Sequence, residues 1–213
     1  MPETLKMLIV LTVIAGAAGL GLAGMHDVTE GPIIENERNF TLRSITKVLP
    51  DAEKPDPCVK KDAVFDNEPM NDAICVDGQK VYRARKNGEL VGLAIESIGD
   101  KAYDGTILTL VGVRMSDGVL TGVEVLRHRE TPGLGALFTR CEYQQQMVGN
   151  GPDDIKWSVK KDGGDIDQLS GATISSRCML NAIAKAQRLW RERGDEIAQA
   201  EPLEDSREVC DAR

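Results

Sequence analysis

From Met7 to Met25 the chain reads MLIVLTVIAGAAGLGLAGM, a stretch without charge whose only polar side chain is Thr12. A helix needs about 20 such residues to cross the hydrocarbon of a bilayer. The run therefore predicts a single membrane-spanning helix, and most of the chain must fold on one side of that span. Lys6 precedes the run, whereas His26, Asp27 and Glu30 follow it. The positive-inside tendency keeps the short N-terminal end in the cytoplasm and exports everything after the run. A cleaved signal peptide is the alternative, because small residues gather near the end of the run, but no Ala-x-Ala site is followed by a polar start. A buried soluble helix is the third reading, which Gly16, Gly19, Gly21 and Gly24 oppose because glycine weakens helices in water.

The chain as a whole has the composition of a globular protein. Of 213 residues, 41% are apolar and 28% charged, and 26 basic residues face 34 acidic ones, a formal charge of −8. That balance excludes nucleic acid as the main partner, since phosphate binding needs a clustered positive field. With His26 and His128 the only histidines, a His-rich metal centre is excluded. Cys58, Cys75, Cys141, Cys178 and Cys210 show no metal-ligand spacing, so no metal site is expected. Export permits disulfides, with Cys58–Cys75 the expected bridge and free thiols the alternative. An odd count leaves at least one thiol unpaired within the monomer.

Apolar positions from Ile33 to Leu49 recur with a helical period that Pro50 ends. Residues 51–78 are polar and Pro-bearing and read as a loop with at most one short strand. Strands are expected at Val81–Arg85, Leu90–Ile98, Thr106–Met115 and Val119–Leu126. Asn87-Gly88 and Ser116-Asp117-Gly118 supply turns between them. A short helix is expected over Leu134–Gln146 and a further strand at Trp157–Val159. A long amphipathic helix from Ile174 to about Ala198 follows. The fold class is α+β, with a mainly antiparallel sheet and flanking helices. The expected division is an anchor over 1–27, a domain over 28–200 and an acidic flexible tail over 201–213.

Two segments carry chemistry. Asp167-Gln168-Leu169-Ser170-Gly171-Ala172-Thr173 opens the last helix. Ser170 can cap that helix, and Gly171 and Ala172 leave room for a bulky group beside the backbone. Unpaired amides at the positive end of a helix dipole make a seat for a phosphate, which a Thr173 hydroxyl could hydrogen-bond or esterify. A plain helix cap is the alternative. The second segment, His128-Arg129-Glu130-Thr131-Pro132-Gly133-Leu134-Gly135, places a tight turn after the hairpin; taken alone it is equally a strand-to-helix connection.

Together, Glu-Thr-Pro-Gly-Leu-Gly ahead of Asp-x-x-Ser-Gly-Ala-Thr, after one N-terminal span, resemble the G subunit of Rnf-type electron-transport complexes. They are also similar to the homologous C subunit of sodium-translocating NADH:quinone reductase, for which this chain is short. The resemblance implies FMN joined through a phosphoester to Thr173, attached by a periplasmic flavin transferase. It implies that Ser170, Gly171 and Ala172 shape the phosphate end and that Asp167 is recognised by the transferase. Glu130, Thr131, Gly133, Leu134 and Gly135 are expected near the flavin ring, with His128 and Arg129 at the surface. It further implies partner membrane subunits and an inner-membrane, single-pass topology with the C-terminal domain in the periplasm. The complex would couple electron transfer between ferredoxin and NAD to Na⁺ or H⁺ movement. No independent catalytic site is expected in an electron-carrying subunit. A self-contained exported flavin reductase and a non-redox anchored assembly protein are the competing readings. The loop around Cys58 and Cys75 and the acidic tail lie outside the family pattern.

Overall fold

The computed structural model describes residues 2–49, 65, 69–102, 105–203 and 210. It divides into two units, Met1–Thr41 and Leu42–Arg213.

The described residues of the first unit from Glu3 onward belong to α1 (Glu3–Val48), one helix that passes through Pro32. The two helical stretches expected on either side of residue 28 are therefore a single element. Its apolar side chains from Leu5 to Met25 are exposed all round, and the most apolar window is not buried at all. The run is long and apolar enough to cross a membrane, and leaving so much apolar surface in water is unfavourable.

The second unit is built on a five-stranded antiparallel meander in the order β1 (Ala73–Val76), β2 (Gln79–Lys86), β3 (Glu89–Ala102), β4 (Gly105–Arg114) and β5 (Leu120–Arg127). Tight turns set this order. Asp77-Gly78 and Asn87-Gly88 both have positive φ at the two central positions, the geometry that joins twisted antiparallel strands. The Ser116-Asp117-Gly118 turn closes through Arg114 N–H to Val119 O at 2.9 Å. After β5 come α2 (Cys141–Gln144) and α3 (Thr173–Gln199).

Both faces of the sheet are buried, so alternate residues serve two cores. Val81, Leu93, Ile95, Val111, Val113 and Val123 face Met179, Leu180, Ile183 and Ala186 of α3. Tyr82, Ala84, Ala94 and Leu110 share the opposite face with Ile45, Val48 and Leu49 at the end of α1. Gly112 and Gly122 are register partners, and on both the absent Cβ leaves room for the Val48 backbone. The hydroxyl of Thr121 donates to Val48 O at 2.6 Å. Strand glycines here mark a close backbone approach.

Arg83, 2% exposed, fastens the far end of α3. Its guanidinium donates to Ile197 O at 2.9 Å and Ala200 O at 2.6 Å and pairs with Asp72. These carbonyls form the negative end of the helix, where a cation is favourable. Asp72→Ala leaves this buried cation short of an acceptor and is expected to lower unfolding stability by about 2 kcal/mol, read by urea denaturation.

Three expectations need correction. The Leu134–Gln146 helix is two pieces, a 3-10 turn over Gly135–Thr139 and α2, because Arg140 between them is extended. Trp157–Val159 is not a strand; Val159 makes one isolated parallel bridge to Ile166, after which the chain turns into Lys160–Asp162. Cys75 bonds Cys210, so it is not available to Cys58, which lies outside the described residues. Leu203 N–H also donates to Ala73 O at 2.8 Å, beside the β1 strand that carries Cys75. Cys141 is also disulfide-bonded, and Cys178 is a buried free thiol.

Candidate functional site

The two segments singled out in the sequence meet. Glu130, Thr131, Leu134 and Gly135 line one wall of a cleft of ≈ 450 Å³, and Gly171, Ala172, Thr173, Ile174 and Ser175 line the other. Nothing local to either segment dictates this meeting. The first segment leaves the end of β5, α3 packs on the same face of the sheet, and the cleft opens where α3 begins. A volume of this size is within the range of small-molecule and cofactor sites.

The α3 wall starts with a turn in which Ala172 N–H donates to Leu169 O at 3.1 Å. Gly171 occupies its third position with φ +75°, a conformation costly for any residue with a Cβ. The helix then begins at Thr173 with Ala172 as N-cap and no side-chain capping bond. The expected cap by Ser170 is thus not made: the turn places Ser170 at its exposed tip, two residues before the cap position. Ser176 does related work from inside the helix, accepting Leu169 N–H at 3.0 Å and donating to Ala172 O at 3.1 Å. The first turn of α3 contains no acidic residue. Its own side chains therefore leave the positive end of the helix facing the cleft.

Thr173 is half-buried within the cleft. Leu134 and Ile174 are 48% and 45% exposed, placing apolar surface on both sides of the opening. Leu134 Cδ2 lies 3.5 Å from the position that a Cβ on Gly171 would take. Such a cleft can seat an anion at the helix start and an apolar ring between Leu134 and Ile174. These features fit FMN, which combines a phosphate with a flat, largely apolar ring system.

Around the cleft the loop before α3 is braced by ion pairs. Lys160 reaches Asp167 at 2.8 Å, and Arg177 grips Asp162 at 2.6 Å. The Arg177 guanidinium, by hydrogen bonding, holds the Asp162 carboxyl below its ordinary range. Asp167 N–H donates to Gln146 Oε1 at 2.8 Å, and the Asp167 side chain is exposed. Of the remaining predicted residues, Gly133 and Arg129 are exposed and are absent from the lining, whereas His128 stands edge-on to Phe138 with ring centroids 5.4 Å apart. Sequence reasoning missed Ser175, which is 2% exposed and donates to Glu130 Oε2 at 2.6 Å. Among the described residues no cluster of metal-ligating side chains occurs.

Residues 102–188 match the FMN-binding domain family, a span that contains both walls of the cleft. The chain is 32% identical over 200 residues to the G subunit of the ion-translocating oxidoreductase complex of Aliivibrio fischeri (strain MJ11), covering 90% of this chain and 92% of that one. It is 31% identical over 188 residues to the corresponding protein of Pseudomonas aeruginosa (strain UCBPP-PA14), covering 81% and 82%. Among solved structures it is similar to the crystal structure of Shewanella oneidensis NqrC, at 21% identity and a TM-score of 0.46 over 57% of this chain and 61% of that chain.

Proposed function

The chain belongs to the family of G subunits of ion-translocating oxidoreductase complexes, and from that premise we propose that it carries FMN as a phosphoester on Thr173. It is a membrane electron-transfer subunit of an Rnf-type complex. The observation that carries the attachment reading is the convergence of residues 130–135 with the uncapped start of α3 in one cleft.

The division of labour follows from the chemistry of each wall. Helix-start amides and the Gly171-Ala172 turn suit the phosphate end, with Ser170 beside it. Leu134, Gly135 and Ile174 suit the ring, with Thr131 and Gly133 at the rim. FMN supplies the redox chemistry, since it exchanges electrons singly or in pairs; the chain retains and orients it. An ester bond prevents loss of a cofactor that would be diluted outside the cell. Asp167, exposed in the braced loop, is available to the flavin transferase.

The export of the domain, with α1 as the inner-membrane anchor, is supported by the uncharged run and by disulfides at Cys75, Cys141 and Cys210. Such bonds persist in oxidising compartments. Partner membrane subunits would pass electrons to and from the flavin while ferredoxin–NAD electron transfer drives Na⁺ or H⁺ movement. Protease added to spheroplasts is expected to remove residues 28–200; protection of that domain contradicts export. In the purified complex, the flavin absorbance of this subunit is expected to bleach when electrons enter and to recover with acceptor. A complex that turns over while this absorbance stays constant contradicts the carrier role.

A further inference from the structure

We propose that Glu130 is a positioning residue for the flavin attachment site: through Ser175 it holds the first turn of α3, and with it Thr173, against the loop of residues 131–135. This rests on the reading of Thr173 as the attachment residue and adds to it the means by which the two walls of the cleft are kept in register.

The two partners come from different elements. Glu130 is 8% exposed and Ser175 2% exposed, and the hydroxyl donates to the carboxylate at 2.6 Å. Glu130 is itself anchored, since its N–H donates to His128 Nδ1 at 3.2 Å and the His128 ring packs edge-on against Phe138. The space for the pair exists because residue 135 is glycine. A Cβ there would lie 2.2 Å from Glu130 Oε2 and 2.8 Å from Ser175 Oγ.

Helix electrostatics explain why a carboxylate suits the position. The first turn of α3 has neither an acidic residue nor a side-chain cap. Carboxylates near a helix N-terminus are favourable, and here one arrives from the opposite wall. One turn into the helix, the Cys178 thiol is pushed up, first by burial and further by the Glu130 charge. A local cap would stabilise the helix alone. Glu130 instead makes the order of the helix start depend on the loop across the cleft.

Amide hydrogen exchange tests this on the full chain in detergent, prepared without the flavin transferase. In Glu130→Ala, peptides covering Leu169–Met179 are expected to exchange about tenfold faster, while those of β3 and β4 are unchanged. Glu130→Gln, which keeps an acceptor for Ser175, is expected to stay within about threefold of the parent. Ser175→Ala removes one hydroxyl and is expected to behave like Glu130→Ala. The initial rate at which the transferase moves FMN from FAD to the Thr173 hydroxyl, with release of AMP, should fall and recover in the same order. Unchanged exchange in both Glu130→Ala and Ser175→Ala overturns the proposal, as does a Gln variant as defective as the Ala variant. If Glu130→Ala loosens the whole sheet, the smaller Ser175→Ala change decides. A parent chain that accepts no flavin contradicts the attachment reading, and the exchange comparison, made without flavin, still decides whether Glu130 orders α3.

Discussion

Thr173→Ala is expected to eliminate covalent flavin completely while leaving the fold in place. Thr173 is half-buried at the start of α3, and Ala172, not Thr173, holds the cap position. Its hydroxyl therefore contributes little to helix stability, and thermal unfolding of the flavin-free proteins should agree within about 1 kcal/mol. The hydroxyl matters for the ester alone, so under ultraviolet light the denatured parent should fluoresce on a gel and the variant should be dark. Ser170, Ser175 and Ser176 lie within a few residues, but Ser175 and Ser176 are buried and already bonded. Ser170 is exposed at the tip of the preceding turn. A fluorescent variant would place the attachment on another side chain.

Gly112→Val is expected to have the largest effect on folding. The first added atom would lie 2.0 Å from Val48 O and 2.6 Å from the Thr121 hydroxyl. The obstacle is mostly backbone, so no rotamer change relieves it. The variant must either displace the end of α1 or distort the pairing of Gly112 with Gly122. Displacement would uncover Ile45, Val48 and Leu49, each 4% exposed or less, and break the bond from Thr121 to Val48 O. A loss of about 3 kcal/mol or more follows from overpacking together with that lost burial. Urea denaturation of the full chain in detergent measures it. A variant as stable as the parent would mean that α1 does not dock on this face in solution.

The Gly112 prediction depends on contacts between elements distant in sequence, and this is where sequence reading reaches its limit. The β4–β5 hairpin was legible because Ser116-Asp117-Gly118 separates two β-branched runs, a local signal. The motif before α3 was legible because its residue types are unusual together. The glycines at 112 and 122 were also visible, and glycine inside a β-branched run does mark close approach. The identity of the backbone that approaches, from α1, is not encoded nearby. β1 was expected only as one unplaced short strand within residues 51–78, because its four residues follow a long polar stretch, although Asp77-Gly78 was a usable turn signal. The role of Ser175 was hidden for the same reason, since its partner Glu130 is 45 positions away. Ser170 misled because a serine beside a helix start usually caps it; the turn through Gly171 moves the helix start past its reach. Cys75 was paired with its neighbour in sequence, whereas chain folding brings it to Cys210 across 135 residues.

One tryptic peptide tests the central claim most directly. Cleavage after Lys161 and Arg177 releases residues 162–177, which carry Ser170, Thr173, Ser175 and Ser176 together. From protein purified out of its native membrane, this peptide is expected to be heavier by FMN less one water, with fragment ions assigning the addition to Thr173. The unmodified peptide as the sole form, or the addition on any other residue, would contradict the account.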